Sequence, residues 1–530
     1  MWARETRPRP PRSSHLIGRT SSRSSPSPAH SHGARLFARG QGRGLIIEVI
    51  MRTRQRRMCR LPHRGWTVLS LLVVGLLVGG RARAQAPQKP FSPPPFEVLR
   101  AEEDYRYLRD PDAPRAPLDG MKYLPLDENG SVFLSLGGDL RQRMEYYRHP
   151  DWAEAPAADG AWLQRYMLHG DVWLWNLARA FFQLKSGWTH GREGGPGPTD
   201  EDRLDVHQAF VEARPWERAD EGLQVRLGRQ ELQFGSARLV SVREGPNVRR
   251  AFDGARTRLR LHQWDLSAFA VRPVTTEPGA FDNGPVRTQS FWGLYAEHPL
   301  PVLPGGNVDL YYLGFSNSQA RYAQGEGREQ RHSFGTRWWG TSGRWDYNLE
   351  AVLQVGRFSG APLLAWTVAS DTGFTLERLP LSPRLGVMAD IASGDPDAEG
   401  PSLGTFNPLF PRGSYFGEIA LLGPYNFIDL HPVLRLHPSR SLVLSAEWTG
   451  FWRQSVEDGI YGPSGALVRP PGGSSSRWVG HQVNFTANWQ LGRYTHVYAT
   501  ASRFFAGTFL QQTGSSRDVI FLQAEVSLRF

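Results

Sequence analysis

The sequence predicts an all-β protein, a transmembrane antiparallel β-barrel of about 18 strands of the kind that crosses a bacterial outer membrane. Three observations lead to this fold class. From Ser131 onward apolar and polar residues alternate in segments of about 10 to 15 residues, separated by Gly, Pro, Asp, Asn and Ser. After residue 84 no run of 18 apolar residues occurs, which excludes helical membrane spans. The chain ends with an alternating, aromatic-terminated segment, Val519 to Phe530.

The basic charge of the chain is concentrated at its N-terminus. The formal net charge is +11, yet residues 1–84 hold 17 arginines and two acids, so residues 85–530 are net −4. A global attraction to nucleic acid is therefore not expected, and no nucleic acid is predicted as a partner. The single cysteine, Cys59, excludes a disulfide framework.

The N-terminal residues have the composition of an export signal. In residues 51–84 a basic stretch precedes the apolar run Gly65 to Gly80, and Ala82-Arg83-Ala84 follows as a small-x-small cleavage site. A transmembrane anchor would need about 20 apolar residues, and this run is shorter. We therefore expect a signal peptide over 51–84, removed after Ala84, and a mature protein in the bacterial outer membrane with outer-membrane lipid as a partner.

Two further segments flank this signal. Residues 1–50 are predicted to be a disordered leader or the product of a mis-assigned start, with Met1 and Met51 both open as the true start. Residues 85–130 are rich in proline and are predicted to be a periplasmic lead-in, too short for the plug domain of a TonB-type receptor. Residues 131–530 then form the barrel.

Period-two alternation locates the barrel strands. In Gly343 to Phe358 one face holds Trp345, Tyr347, Leu349, Ala351, Leu353 and Val355, and the other holds Asp346, Asn348, Glu350 and Gln354. The same procedure predicts strands near 131–147, 161–176, 178–189, 203–215, 222–233, 252–262, 264–273, 288–299, 307–317, 328–341, 344–358, 361–374, 383–393, 425–437, 441–453, 477–490, 493–505 and 517–530. Aromatic residues toward many strand ends suit the girdles of a membrane barrel.

Arginines on one strand predict a water-filled lumen. Arg256, Arg258 and Arg260 alternate with the apolar face of Ala255, Thr257, Leu259 and Leu261. In lipid each arginine would cost about 2–4 kcal/mol at the midplane, so this face points to water. The predicted inner face also includes Arg226, Arg179, Lys185, Arg141, Arg143 and Arg435, together with the acids Asp139, Asp205, Glu350, Asp429, Glu447 and Glu525. A selective anion path and structural ladders of paired charges both fit this mixture.

A basic loop precedes that strand. Residues 234–250 contain Gly235, Gly245 and Pro246, which favour bends, and the sequence allows either an inward-folded constriction or an extracellular loop. A planar guanidinium binds a carboxylate at two points, so such a loop suits carboxylated sugars. The candidate residues of the substrate or ion path are Arg226, Arg229, Arg238, Arg243, Arg249, Arg250, Arg256, Arg258 and Arg260.

Two segments resemble the alginate-export family of outer-membrane porins. The first is Gly-Arg-Gln-Glu-Leu-x-Phe-Gly-Ser-x-Arg-Leu-Val-Ser-x-Arg-Glu-Gly-Pro-Asn-Val-Arg-Arg-x-Phe-Asp-Gly-x-Arg from Gly228 to Arg256, and the second is Gly404 to Gly417 with Asn-Pro-Leu-Phe-Pro-Arg-Gly at its centre. The C-terminal strand is similar to the assembly signal of bacterial outer-membrane barrels. The resemblance implies an eighteen-stranded barrel whose arginine-rich conduit passes a polyanionic uronate polymer, with a possible periplasmic export scaffold as partner.

Other functions find less support in the sequence. The histidines lack a zinc-type spacing and no nucleophile arrangement is visible, so neither catalysis, a metal nor another cofactor is predicted. The leading hypothesis is an outer-membrane porin for an anionic polysaccharide or saccharide. A general or small-solute uptake porin and a surface barrel enzyme stay open as alternatives. The solute, the direction of transport, the constricting arginines and the oligomeric state are open at this point.

Overall fold

The computed structural model describes residues 94–397 and 399–530. The predicted leader over 1–50, the predicted signal peptide over 51–84, and residues 85–93 of the predicted lead-in lie outside the described residues. Within the described part, no helix is long and apolar enough to cross a membrane.

Eighteen long strands form one antiparallel sheet. In chain order they are β1 Val132–Arg148, β2 Ala158–Leu174, β3 Ala178–His190, β4 Asp202–Arg218, β5 Glu221–Gln230, β6 Phe252–Leu261, β7 Trp264–Pro273, β8 Gln289–Pro299, β9 Gly306–Tyr322, β10 Gly325–Ser342, β11 Trp345–Phe358, β12 Ala361–Thr375, β13 Arg384–Ala392, β14 Phe427–Ser439, β15 Leu442–Trp452, β16 Trp478–Leu491, β17 Thr495–Ala506 and β18 Val519–Arg529.

The sheet closes on itself. Each strand pairs with its neighbour in sequence, and β18 returns to β1 with Asp139 opposite Arg529 and Arg148 opposite Ile520. Closure removes the two sheet edges, so every strand backbone can pair within the wall, as a membrane barrel requires. The prediction of an all-β barrel with eighteen strands is confirmed.

The two ends of the barrel differ. The end that holds the start of β1 and Phe530 has short turns, such as residues 175–177, 219–220 and 262–263. The opposite end has longer connections, including 231–251 and 453–477. Outer-membrane barrels have short periplasmic turns and longer extracellular loops, so this pattern assigns the terminal end to the periplasmic side.

Apolar side chains cover the outside and polar side chains fill the inside. On β11 Leu349 and Leu353 are 43% and 47% exposed on the outer face, whereas Glu350 and Gln354 are buried inside. On β16 the alternation is interrupted, because the apolar Val479 is buried inside the barrel. A register shift where β15 meets β16, next to Gly480 with φ +147°, changes the alternation there.

Several predicted strands are longer than the alternation suggested. β2 begins at Ala158 rather than near 161, and β10 begins at Gly325 rather than near 328. Apart from Ala158, these extensions consist of polar residues and glycine: Asp159, Gly160, Gly325, Glu326 and Gly327. Strand ends that project beyond the membrane do not need apolar residues on their outer face. The alternation of apolar and polar residues therefore does not reveal them.

The described part of the lead-in folds against the inner wall of the barrel. It forms short 3₁₀ turns at Arg100–Glu102, Arg106–Arg109 and Asp119–Met121, and the two-residue strand Leu124–Pro125 pairs with β1. The Arg100 guanidinium donates to the carbonyl oxygens of Gly138 and Phe530 at 2.8 and 2.9 Å. These contacts hold the segment inside the periplasmic mouth.

Candidate functional site in the barrel lumen

The connection between β5 and β6 folds into the lumen. We call residues 231–251 lumenal loop 1. From β1, the Arg141 guanidinium donates to the backbone carbonyls of Glu244, Gly245 and Pro246 at 3.0, 3.1 and 2.9 Å. Arg141 is an inward-facing wall residue and is almost completely buried. Of the two placements that the sequence allowed, the structure therefore has the inward one.

The same loop reaches another part of the wall. Arg238 donates to a Glu350 carboxylate oxygen on β11 at 3.3 Å and to the Tyr415 hydroxyl at 3.0 Å. In an eighteen-stranded ring β11 lies on the far side from β1. Lumenal loop 1 thus spans the lumen and narrows it.

A second inward segment packs against the first. We call residues 399–426, which include the second family-like segment, lumenal loop 2. Val240 and Phe410 form a parallel bridge, and the Phe410 ring contacts the rings of Phe252 and Phe291 at centroid distances of 5.2 and 4.9 Å. The Gln354 amide on β11 donates to the Asn407 carbonyl at 2.7 Å. The sequence suggested two loops, and the structure brings both together in the lumen.

Most of the candidate arginines are paired with carboxylates. Arg226 lies 2.6 Å from Glu212, Arg249 lies 2.8 Å from Glu231 and 2.9 Å from Glu244, and Arg238 pairs with Glu350. Arg258 contacts Asp265 at 2.9 Å, and Arg260 lies 3.8 Å from Glu217. These pairs brace the wall and the inward loops.

Arg243 and Arg250 of lumenal loop 1 differ from the others. Neither forms an ion pair with a carboxylate of residues 94–397 or 399–530. The Arg250 guanidinium lies 5.0 Å from the centroid of the Phe410 ring, and its Nη1 is buried without a hydrogen-bond partner in the described chain. Burial, and then the positive charge of Arg243, hold the pKa of Arg250 well below its usual range. Burial also lowers the pKa of Arg243.

Arg229 does not share the face of Arg226. The register of β5 with β6 is regular from Gly222 to Gln230, so residues three apart point to opposite sides of the sheet. Arg229 pairs with its cross-strand neighbour Asp253 at 2.8 Å and also lies 3.4 Å from Asp205. Arg229 thus joins neighbouring strands near the end of β5, and it does not lie with the arginines of the inner face.

A carboxylate that the sequence did not single out lies on the arginine ladder. Glu102 of the lead-in places its carboxylate 3.1 Å from Arg226, 3.6 Å from Arg256 and 3.6 Å from Arg258. Burial alone would raise its pKa, but the charges of these three guanidiniums, together with that of Arg179, outweigh burial and lower the pKa of Glu102 to about 2. The only sequence signal was charge complementarity between the acidic run 102–104 and the basic strand.

Two cavities flank these groups. One of about 500 Å³ lies on the side of the long loops, between lumenal loops 1 and 2 and the wall, and Arg143, Arg192 and Arg243 line it together with Glu145 and Glu418. The other, of about 470 Å³, lies between the lead-in and lumenal loop 1. Within the described chain, no cluster of three or more His, Cys, Asp or Glu side chains could hold a metal ion.

Comparison with known proteins identifies related sequences and folds. A sequence profile of the family described as "Alginate export" matches residues 132–521. No curated protein matches the sequence. The crystal structure of Pseudomonas aeruginosa OccK2 (OpdF) in complex with glucuronate is similar with a TM-score of 0.51 and 12% identity, covering 74% of this chain and 98% of that one. The structure of Pseudomonas aeruginosa OpdQ gives a TM-score of 0.50 and 10% identity, covering 75% and 97%.

Proposed function

We propose that the lumen of this chain passes an anionic saccharide or polysaccharide of the uronate type. The proposal starts from the family, because the chain belongs to the alginate-export family. The protein is an outer-membrane channel with a porin-like barrel. In the proposed path, the solute crosses the lumen beside lumenal loop 1, where the arginines meet its carboxylates.

The observation that carries this proposal is the Arg243–Arg250 pair. Arg243 and Arg250 have no carboxylate partner in the described chain, and the positive charge of Arg243 acts on Arg250. Binding an anion beside them reduces this repulsion and gives the buried Nη1 of Arg250 a hydrogen-bond acceptor, and a carboxylate matches the guanidinium geometry. A narrow lumen with low-dielectric walls strengthens the attraction.

A porin complex supports the class of solute. The OccK2 structure contains glucuronate, so a barrel of this fold can admit a uronate sugar. At 12% identity the likeness concerns the fold, and the preference for carboxylates in this chain rests on its own arginines.

Single-channel recording in a planar bilayer tests the proposal. The mature protein should prefer chloride to potassium in a salt gradient, and oligogalacturonate should block it while a neutral oligosaccharide of equal length should not. The double variant Arg243→Gln with Arg250→Gln should weaken that block by about tenfold, which is roughly 1.4 kcal/mol. The matched control is Arg321→Gln with Arg357→Gln, which removes two arginines at exposed positions of the long-loop end. A wild-type channel with neither anion preference nor block would contradict the proposal.

A general small-solute channel is the second candidate. Pairing of most lumenal arginines with carboxylates favours it, because paired charges stiffen a wall without presenting free charge. In that case neutral and acidic sugars of equal size would block the channel equally, and the double variant would behave as the control does.

The export route is also proposed. Residues 51–84 direct the chain to the envelope and are removed after Ala84, so the protein isolated from outer membranes should begin at Gln85. N-terminal sequencing checks this directly. A mature N-terminus upstream of residue 51 would contradict it. If the solute leaves the cell, the lead-in would be where a periplasmic export scaffold meets the barrel.

A further inference from the structure

We propose that Arg226, Arg256 and Arg258 form a carboxylate-binding subsite whose present occupant is Glu102 of the chain's own lead-in, and that a carboxylated sugar unit exchanges with it. This inference rests on the proposed function and deepens it, because it assigns a subsite on the periplasmic side of lumenal loop 1. We call the three arginines the arginine triad.

The triad is built by the strand register. Arg226 on β5 is directly opposite Arg256 on β6, and Arg258 is two residues further along the same face. Arg226 is also paired with Glu212 and Arg258 with Asp265, so Arg256 is the member of the triad with no other carboxylate partner in the described chain. Glu102 supplies the anion for Arg256 at 3.6 Å, and it lies 3.1 Å from Arg226 and 3.6 Å from Arg258.

Glu102 brings a negative charge to the triad but leaves N–H donors of the triad without a hydrogen bond. Its Oε1 is buried and has no hydrogen-bond partner in the described chain, and the same is true of Nε of Arg256. The one hydrogen bond from Arg256 goes to the Ser267 hydroxyl and is long, at 3.4 Å. By contrast, Arg143 donates hydrogen bonds from two nitrogens to the Glu525 carboxylate, at 2.8 and 2.7 Å.

This difference favours exchange. A carboxylate held on a short backbone turn cannot align with three guanidiniums at once, whereas a free one can rotate to accept two parallel N–H bonds from one arginine. The Glu102 side chain is 24% exposed, so it borders open space and can leave by a change of rotamer. The rest of the lead-in can stay in place, since Arg179 holds the Ala101 carbonyl at 2.8 Å.

The space beside the triad suits a sugar. The cavity of about 470 Å³ is lined by Arg256 and Arg258, by the rings of Phe234 and Tyr295, and by the carboxylates of Glu97, Glu102, Asp265 and Glu297. These two rings stack with centroids 4.9 Å apart, and the Arg256 guanidinium lies 5.4 Å from the centroid of the Phe234 ring. Pockets for small ligands measure roughly 300–1,000 Å³ and combine aromatic surface with a few charged groups. A pyranose ring against Phe234 with its carboxylate on the triad fits this arrangement.

Calorimetry with the full-length mature protein in detergent tests the subsite, with D-glucuronate as probe and D-glucose as neutral comparison. Glu102→Gln keeps the side-chain size and removes the competing charge, so it should bind glucuronate at least about fivefold more tightly than wild type. Glu97→Gln is the matched control, because Glu97 lines the same cavity and forms no ion pair within the described chain. It should bind glucuronate as wild type does. Heat-dependent mobility on gels checks that each barrel is folded, and Glu102→Ala provides a second variant.

The outcomes separate the two proposals. Tighter glucuronate binding by both Glu102 variants, with glucose unaffected, supports the subsite. If folded Glu102→Gln and Glu102→Ala bind glucuronate no better than wild type, Glu102 is a brace and the subsite is overturned, while oligogalacturonate block through Arg243 and Arg250 can still hold. If wild type and all variants show neither glucuronate binding nor oligogalacturonate block, the proposed function and the subsite fail together.

Discussion

The guanidinium of Arg165 on β2 lies 2.6 Å from the carboxylate of Glu244 in lumenal loop 1. Arg249 of the same loop and Arg529 of β18 contact this carboxylate at 2.9 and 3.4 Å. Although burial would raise the pKa of Glu244, these positive charges hold it well below its usual range. One acidic residue thus joins the loop to two strands of the wall.

Replacing Glu244 with glutamine should therefore loosen the loop while leaving the barrel closed. Buried Arg165 would keep only Asp139 as an acidic partner, at 3.3 Å, so we expect a local cost on the order of 1–3 kcal/mol. Hydrogen exchange should rise in residues 231–251 and remain unchanged in the strands. Glu457→Gln, at an exposed position of another loop, is the control. Unaltered exchange in lumenal loop 1 would show that Arg141 and Arg238 suffice to hold it.

Gly228 of the first family-like segment should not tolerate a side chain. Its φ is +130°, and a Cβ there would lie 2.3 Å from the Ala209 carbonyl oxygen of the neighbouring strand. Gly228→Ala should lower the free energy of unfolding by about 1–3 kcal/mol, measured by thermal melting in detergent. Gly284→Ala is the control, because a Cβ at Gly284 meets open space, and it should change stability by less than about 0.5 kcal/mol. If Gly228→Ala and Gly284→Ala had the same melting temperature, the backbone conformation at Gly228 would not require glycine.

The strands could be predicted because lipid and water impose a period-two pattern on each one. Thus Leu349 and Glu350 were assigned to opposite faces from sequence alone, and the structure agrees. The alternation is interrupted at Val479, next to Gly480, where a local register shift is set by backbone geometry and leaves no trace in the pattern of side chains. The same alternation separates Arg229 from Arg226, because residues three apart on a regular strand point to opposite sides of the sheet.

The lumenal contacts could not be predicted in the same way. Glu102 meets Arg226 and Arg258 only because the lead-in turns back into the barrel, and nothing in a proline-rich segment specifies that path. Likewise, the bridge between Val240 and Phe410 joins two loops that are distant in sequence. The sequence shows which residues are charged and need partners, but the closed barrel determines which of them are in contact.

The contact of Glu102 with the triad should depend on pH. Its pKa falls from the usual 4.5 to about 2 on folding, so the contact stabilises the folded protein above pH 4.5 and this contribution is lost as the pH falls toward 2. Near neutral pH the free energy of unfolding of wild type should be larger than that of Glu102→Gln by roughly 1–3 kcal/mol. This difference should shrink as the pH falls from 4.5 to 2. Other carboxylates titrate in both proteins, so their effect cancels in the comparison. Thermal melting of both proteins across this range is the measurement, and a constant difference would contradict the assignment.

The contact of Arg238 with Glu350 should couple lumenal loop 1 to the far wall. Glu350 is buried and also accepts hydrogen bonds from Ser236 and Tyr311, at 3.0 and 2.6 Å, so losing the guanidinium leaves a buried charge with only neutral donors. In a double-mutant cycle of Arg238→Gln and Glu350→Gln, the coupling should be about 1–3 kcal/mol, measured by urea unfolding from lipid vesicles.

A parallel cycle of Arg238→Gln with Glu525→Gln provides the comparison, because Glu525 pairs with Arg143 on another part of the wall. The effects of Arg238→Gln and Glu525→Gln on the free energy of unfolding should be additive to within about 0.5 kcal/mol. In single-channel recordings Arg238→Gln should also increase conductance noise, since the loop would lose one of its attachments to the far wall. If the Arg238 and Glu350 changes were additive and the noise unchanged, Arg238 would not anchor the loop.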